Sequence, residues 1–174
     1  AVTAGAGVAA QHFQLALAQA PARVRKLVAV TPVPAAGVPF DDAAWALFSS
    51  AAGNAQAREA IVSHSTGNRV SAHWARQIVA HSLKESTPQA FGAYLASWAR
   101  EDHCASLAHL AGHAHPMLIL VGEHDPGLTA EVMQATYLPL YPHARIETIA
   151  NAGHYPMDET PVALATSIER FLCE

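Results

Sequence analysis

The chain predicts an α/β fold in which a parallel sheet is flanked by helices, and three features carry that expectation. Met117 to Val121 is a short continuous apolar run bounded by Pro116 and Gly122, the pattern of a strand buried on both faces. Val24 to Val33, centred on Leu27-Val28-Ala29-Val30, has the same character, and Arg145 to Ala150 gives a third strand. Between and around these runs the apolar residues recur at helical spacing. Of the 174 residues 51% are hydrophobic and 14% charged, enough to form a core and too apolar for a disordered chain. A net charge of -4 provides no basic footprint, so neither nucleic acid nor an anionic membrane surface is an expected partner.

Taken in order, the small-residue opening Ala1 to Gln11 runs into a helix that lasts to about Ala20 and is stopped by Pro21. The strand Val24 to Val33 follows, and Pro32-Val33-Pro34-Ala35-Ala36-Gly37 reads as a hinge. From Asp41 to Leu110 no strand-like alternation occurs; several helices are expected, with Pro88 in the first turn of one. The chain closes on a helix from Pro161 to Leu172. The longest apolar stretches fall short of the roughly 18 residues that suggest a membrane span. Cys104 and Cys173 lie far apart with no metal or redox spacing, the usage of reduced thiols in a cytoplasmic protein.

Chemistry concentrates at two strand ends. Met117 to Val121 delivers Gly122-Glu123-His124-Asp125, and Arg145 to Ala150 delivers Asn151-Ala152-Gly153-His154-Tyr155-Pro156. In an open parallel sheet ligands sit beyond the carboxyl ends of the strands, so an acid and a histidine are presented at one edge. The segments VGEHD and NAGHYPMDETP resemble the acid turn and histidine loop of the α/β-hydrolase superfamily, in its esterase-like branch with a helical cap. ALAQAPARVRKLVAV resembles that family's helix after the nucleophile elbow together with the next strand. The likeness covers the family's C-terminal two-thirds, from the elbow helix onward. It implies a partial α/β-hydrolase fold divided as 1–37 (elbow helix and strand), 38–112 (helical cap) and 113–174 (acid strand, histidine strand and closing helix). It also implies that Asp125 orients and charges His154, which acts as general base and then general acid. Glu123 and His124 are the wrong members of the turn, since the family's last residue is the one that reaches the histidine.

The nucleophile departs from the family. No G-x-S-x-G opens the chain; counting back from Ala10-Gln11 places Ala4 in the serine slot, and a shift of one places Thr3 there with Gly5 as the closing glycine. Gly5 is then the backbone donor on offer for an oxyanion. Alanine cannot attack a carbonyl, and the extra methyl of Thr3 crowds a tight elbow. Ser63-His64-Ser65-Thr66-Gly67 imitates the motif elsewhere, but it has no strand before it and reads as a helix end stopped by Gly67, with Ser71 capping the next helix.

Trp45, Trp74 and Trp98 stand at helical spacing in the cap segment; such stripes are first of all packing, and by the resemblance candidates for an apolar substrate pocket. Among eleven histidines, His109, His113 and His115 cluster, but Gly112 and Pro116 interrupt a helix there and no carboxylate or cysteine completes a metal site. Neither metal nor cofactor is expected. Three strands leave a sheet edge unpaired, so a homo-oligomer or a further N-terminal segment is expected to cover it. Two functions follow: an ester or acyl hydrolase acting on a small apolar substrate, its serine missing here, or a noncatalytic relative that keeps the scaffold for binding or assembly.

Overall fold

The computed structural model describes residues 2–7, 9–112 and 114–174, with no statement about the side chain of Ala4. Four parallel strands form one sheet in the order β1-β2-β3-β4: β1 (Val2–Ala6), β2 (Lys26–Val30), β3 (Met117–Gly122) and β4 (Arg145–Ile149). Alternation along the buried strands sends successive side chains to opposite faces. Leu27, Ala29, Met117, Ile119 and Val121 meet α1 (Ala9–Gln19) through Ala10, Phe13 and Leu17 on one face. Val28, Val30, Leu118 and Leu120 meet Leu164 and Phe171 of a C-terminal helix on the other. Both faces of the two central strands are therefore covered, which accounts for their unbroken apolar sequences.

The opening segment corrects the sequence reading. Val2–Ala6 is not the lead-in to a helix but a strand, paired with β2 in the register Val2↔Lys26 through Ala6↔Val30. Its small residues disguised it. Gly5 is confined by α1: a Cβ there would come within 3.1 Å of Phe13 and of the Ala9 backbone. Among the described residues the sheet thus has four strands rather than three, and its edge strands are β1 and β4 rather than the strand beginning near Val24.

Between β2 and β3 run α2 (Asp42–Ser50), α3 (Ala55–Ser65), α4 (Ala72–Glu85), α5 (Pro88–Arg100) and α6 (Cys104–Leu107). Their starts follow from local chemistry: the side chains of Asp41, Asn54, Ser71 and Thr87 each accept a backbone N–H from the first turn. Buried Arg58 ties this cap together, donating to the carbonyls of Ala51 and Ala52 and to the hydroxyls of Ser82 and Ser86, with its guanidinium 4.3 Å from the Phe91 ring. The chain then passes through β3, α7 (Ala130–Thr136), β4, α8 (Pro156–Glu159) and α9 (Pro161–Cys173). No helix among the described residues is long and apolar enough to cross a membrane.

On its outer side β1 has no partner strand among the described residues, and Val2 on it is 49% exposed. A bare five-residue edge of this kind templates pairing with another chain. The expected outcome at micromolar concentration in analytical ultracentrifugation is self-association; an 18.3 kDa species that unfolds cooperatively would show that this edge tolerates solvent.

Candidate functional site

The two loops singled out in the sequence meet at the carboxyl edge of β3 and β4. Their backbones are laced together: Glu123 N–H donates to Ile149 O, His124 N–H to Ala152 O at 2.8 Å, and Asn151 N–H to the Glu123 carboxylate at 2.8 Å. Asn151 starts the histidine loop with a φ of 58°, a left-handed conformation that asparagine tolerates better than most residues. Gly122 and Gly153 lie backbone to backbone, so that a Cβ on Gly122 would collide with the Gly153 carbonyl and one on Gly153 with Thr66. Only glycine permits this approach.

Asp125 and His154 are thereby brought together, with Asp125 Oδ2 2.8 Å from His154 Nδ1. The other carboxylate oxygen, Oδ1, accepts the N–H groups of Gly127 and Leu128 at 2.9 and 3.0 Å. Asp125 is 6% exposed. Burial pushes its carboxyl up, but the hydrogen bond and charge of His154 and the two backbone donors outweigh it, and the group titrates below its ordinary value. Since a carboxylate only accepts, His154 donates from Nδ1, and its neutral form carries the lone pair on Nε2.

Four further hydrogen bonds fix the imidazole's loop. His154 N–H donates to Ser65 O at 2.9 Å, and the hydroxyl of Thr31, itself at φ 41°, donates to His154 O at 3.2 Å. The Glu159 carboxylate receives Gly153 N–H and Tyr155 N–H at 2.9 and 3.0 Å. The Tyr155 ring packs edge-on to His154 at 5.1 Å, and its phenol is pushed up to about 12 by burial and then by the charges of Asp125, Glu159 and Asp158. Neither Glu159 nor Thr31 is recognisable as a site residue from sequence. Glu159 lies in the NAGHYPMDETP segment, but its function as a double acceptor depends on a turn that only the fold defines.

His154 and Asp125 border a cavity of about 920 Å³ between sheet edge and cap, lined also by Phe40, Phe48, Val62, Ile78, Leu95, Trp98 and Gly7. Phe40, Phe48 and Trp98 form one aromatic cluster with centroids 4.6 to 5.8 Å apart. Of the three tryptophans only Trp98 borders this cavity. Trp45 sits under the Arg100 guanidinium at 3.3 Å, beside a second pocket, and Trp74 packs against the cluster of Val62, Ala75 and Val79 in the cap. The Ser63–Gly67 segment is the end of α3, with Gly67 at φ 67° and Ser71 capping α4. Even so, it touches the site through the Ser65 carbonyl.

Thr3 and Ala4, the residues expected in the nucleophile slot, are not at the turn. Both lie inside β1, opposite Leu27 and Val28, as does Gly5 opposite Ala29, and neither Thr3 nor Gly5 borders the cavity. The count from Ala10-Gln11 presumes a helix running to the chain start, whereas the turn between β1 and α1 comes at Gly7. In the histidine cluster, His109 Nε2 lies 3.3 Å from Ala18 O and His115 Nε2 3.0 Å from Val24 O; His113 lies outside the described residues. Cys104 and Cys173 are exposed free thiols.

A family model described as the alpha/beta hydrolase family matches residues 3–167, and the chain belongs to that family. Among solved structures the chain is similar to an esterase, EaEST, from Exiguobacterium antarcticum (TM-score 0.78, 14% identity, 98% of this chain and 66% of that one). It is likewise similar to a bromoperoxidase from Bacillus anthracis (0.77, 15%, 98% and 66%). A third is Est816, described as an N-acyl homoserine lactone degrading enzyme (0.76, 19%, 98% and 67%). The chain thus spans about two-thirds of the length of these structures. No curated protein sequence matches it.

The loop geometry is open to two tests. Gly122→Ala forces the loops apart and is expected to destabilise the chain by about 3 kcal/mol, read by chemical denaturation, and to remove the Asp125–His154 hydrogen bond, read as loss of the downfield imidazole proton in NMR. The other test concerns pH. The Asp125 carboxyl is depressed in the folded state, so its contribution is fully present above the unfolded value of about 3.9 and is lost as pH falls through the lower folded value. The stability difference between wild type and Asp125→Asn is therefore expected to shrink as pH falls below about 4; a difference that grows as pH falls through that range contradicts the assignment.

Proposed function

We propose that this protein is a hydrolase of small apolar esters or related acyl compounds, with the Asp125–His154 pair as its proton-transfer centre. The observation that carries the reading is the 2.8 Å contact between Asp125 and His154 Nδ1, beside a largely apolar cavity that both residues border. With Nδ1 held by a carboxylate, Nε2 is the basic atom on offer to a ligand. Asp125 stabilises the imidazolium that forms when Nε2 takes a proton, and its own two backbone donors keep it ionised. The lining favours an alkyl or aromatic acyl group. Esterases and the lactone-degrading Est816, among the structural neighbours, support an acyl–oxygen bond as the bond broken.

An alternative reading has its own observation. No serine, cysteine or threonine stands at the strand-to-helix turn, where Gly7 lies, and a noncatalytic member that uses the cavity for binding or assembly needs no nucleophile. Hydrolysis of p-nitrophenyl acetate and butyrate separates the two. The hydrolase reading expects turnover above background that falls about 10²- to 10⁴-fold in His154→Ala, the range for a positioned general base. Rates at background in both proteins would leave the binding function.

A further inference from the structure

We infer that Gly7 occupies the nucleophile position of this site and that, with no side chain there, the attacking group is a water molecule activated by His154, so that hydrolysis proceeds without an acyl-enzyme. The water step rests on the hydrolase reading above; the assignment of the position does not.

Gly7 is the residue at which the chain leaves β1 and turns into α1. Its φ of 53° is left-handed, the kind of sharp, strained strand-to-helix turn that exposes a nucleophile at the top of a sheet. The turn is anchored: Gly7 N–H donates to Val30 O at 2.9 Å, and Gly7 O accepts the N–H groups of Ala10 and Val33. Gly7 borders the same cavity as Asp125 and His154. A Cβ built on it meets nothing within 4 Å among the described residues, so the ground above this backbone is open. At Gly5 the opposite holds, since a Cβ there is pressed against α1. One glycine is therefore demanded by packing, whereas the other leaves room at the place where a nucleophile would stand. Thr3 is excluded by distance: four residues of extended strand place it roughly 13 Å back from the turn.

The open ground suits a small diffusible nucleophile. In the proposed step His154 Nε2 takes a proton from water as the water oxygen bonds to the ester carbonyl carbon, and the carbonyl π pair moves onto its oxygen. The tetrahedral adduct collapses, breaking the acyl–oxygen bond, and the departing alkoxide takes the proton back from Nε2. Ester and water become acid and alcohol, and no bond to the protein forms at any stage.

Two measurements test this. Wild-type protein turning over p-nitrophenyl butyrate is expected to show no pre-steady-state burst and no acyl mass increase in quenched intact-protein mass spectra. A stoichiometric acyl adduct would overturn the water step. Gly7→Ser is expected to react one-to-one with a fluorophosphonate probe, whereas wild type and Gly7→Ala do not, and Gly7→Ser/His154→Ala should be slowed about 10²-fold or more. Folded Gly7→Ser that stays unlabelled, or is labelled equally without His154, would overturn the assignment of the position. If the strain of a side chain at positive φ keeps both Gly7→Ser and Gly7→Ala from folding, the wild-type burst kinetics and intact-protein mass spectra still decide the water step. Wild type without turnover defeats the hydrolase reading and the water step together, while labelling of Gly7→Ser still decides what the turn is.

Discussion

The close approach of Gly122 to Gly153 is the constraint on which the rest of this site depends. Two parallel strands only about 4.8 Å apart could send their loops in different directions, and a carboxylate and an imidazole would then never meet. Here the absence of two β-carbons lets the backbone at the end of β3 lie against the loop after β4, with Thr66 of the cap pressed on the far side. Asp125 and His154 come into register as a consequence. Their hydrogen bond does not hold the loops together so much as read out a separation already set by backbone contact.

The cap is joined to the same place. His154 N–H is satisfied by Ser65 O at the end of α3, and Arg69 lies 3.7 Å from Glu159, whose carboxylate organises the turn around His154. Cap and sheet edge therefore share hydrogen bonds beside the cavity, whose lining includes the aromatic cluster of Phe40, Phe48 and Trp98. A ligand between them would sense both. Its apolar part would be chosen by the cap and its reacting atoms placed by the sheet.

How much of this is legible in the sequence depends on whether a residue's role is local. The central strands are clear because burial on both faces leaves continuous apolar runs, and the acid and histidine loops because each ends such a run with a glycine-containing turn. Helix starts at Asp41, Ser71 and Thr87 obey capping rules that operate within four residues. The strand Val2–Ala6 is not legible: its small residues carry little β-propensity, and their smallness answers to the helix packed above Gly5, a contact no local window contains. Misreading that strand displaces the expected nucleophile slot from Gly7 to Thr3 and Ala4. Trp45 and Trp74 fail for a related reason. Helical spacing tells which residues share a face, not which face looks onto a cavity and which onto Arg100 or the cap's own core.

Stability alone does not account for the dyad. A buried ion or ion-pair partner carries a desolvation cost that its attraction only roughly repays, and an apolar replacement of similar volume often serves the fold as well or better. Asp125 nevertheless sits 6% exposed, its oxygens matched by two backbone donors and one imidazole. The imidazole in turn keeps one nitrogen for the cavity. A purely structural carboxylate would be satisfied by the two N–H groups of its own turn, as an Asx-type cap is, and would need no histidine delivered by another strand. The arrangement costs the chain two glycines at close quarters, a positive φ at Thr31 and another at Asn151. Strain gathered around one carboxylate–imidazole pair is what a site shaped for chemistry or ligand binding retains, and it is the physical ground for treating this edge of the sheet as the working part of the molecule.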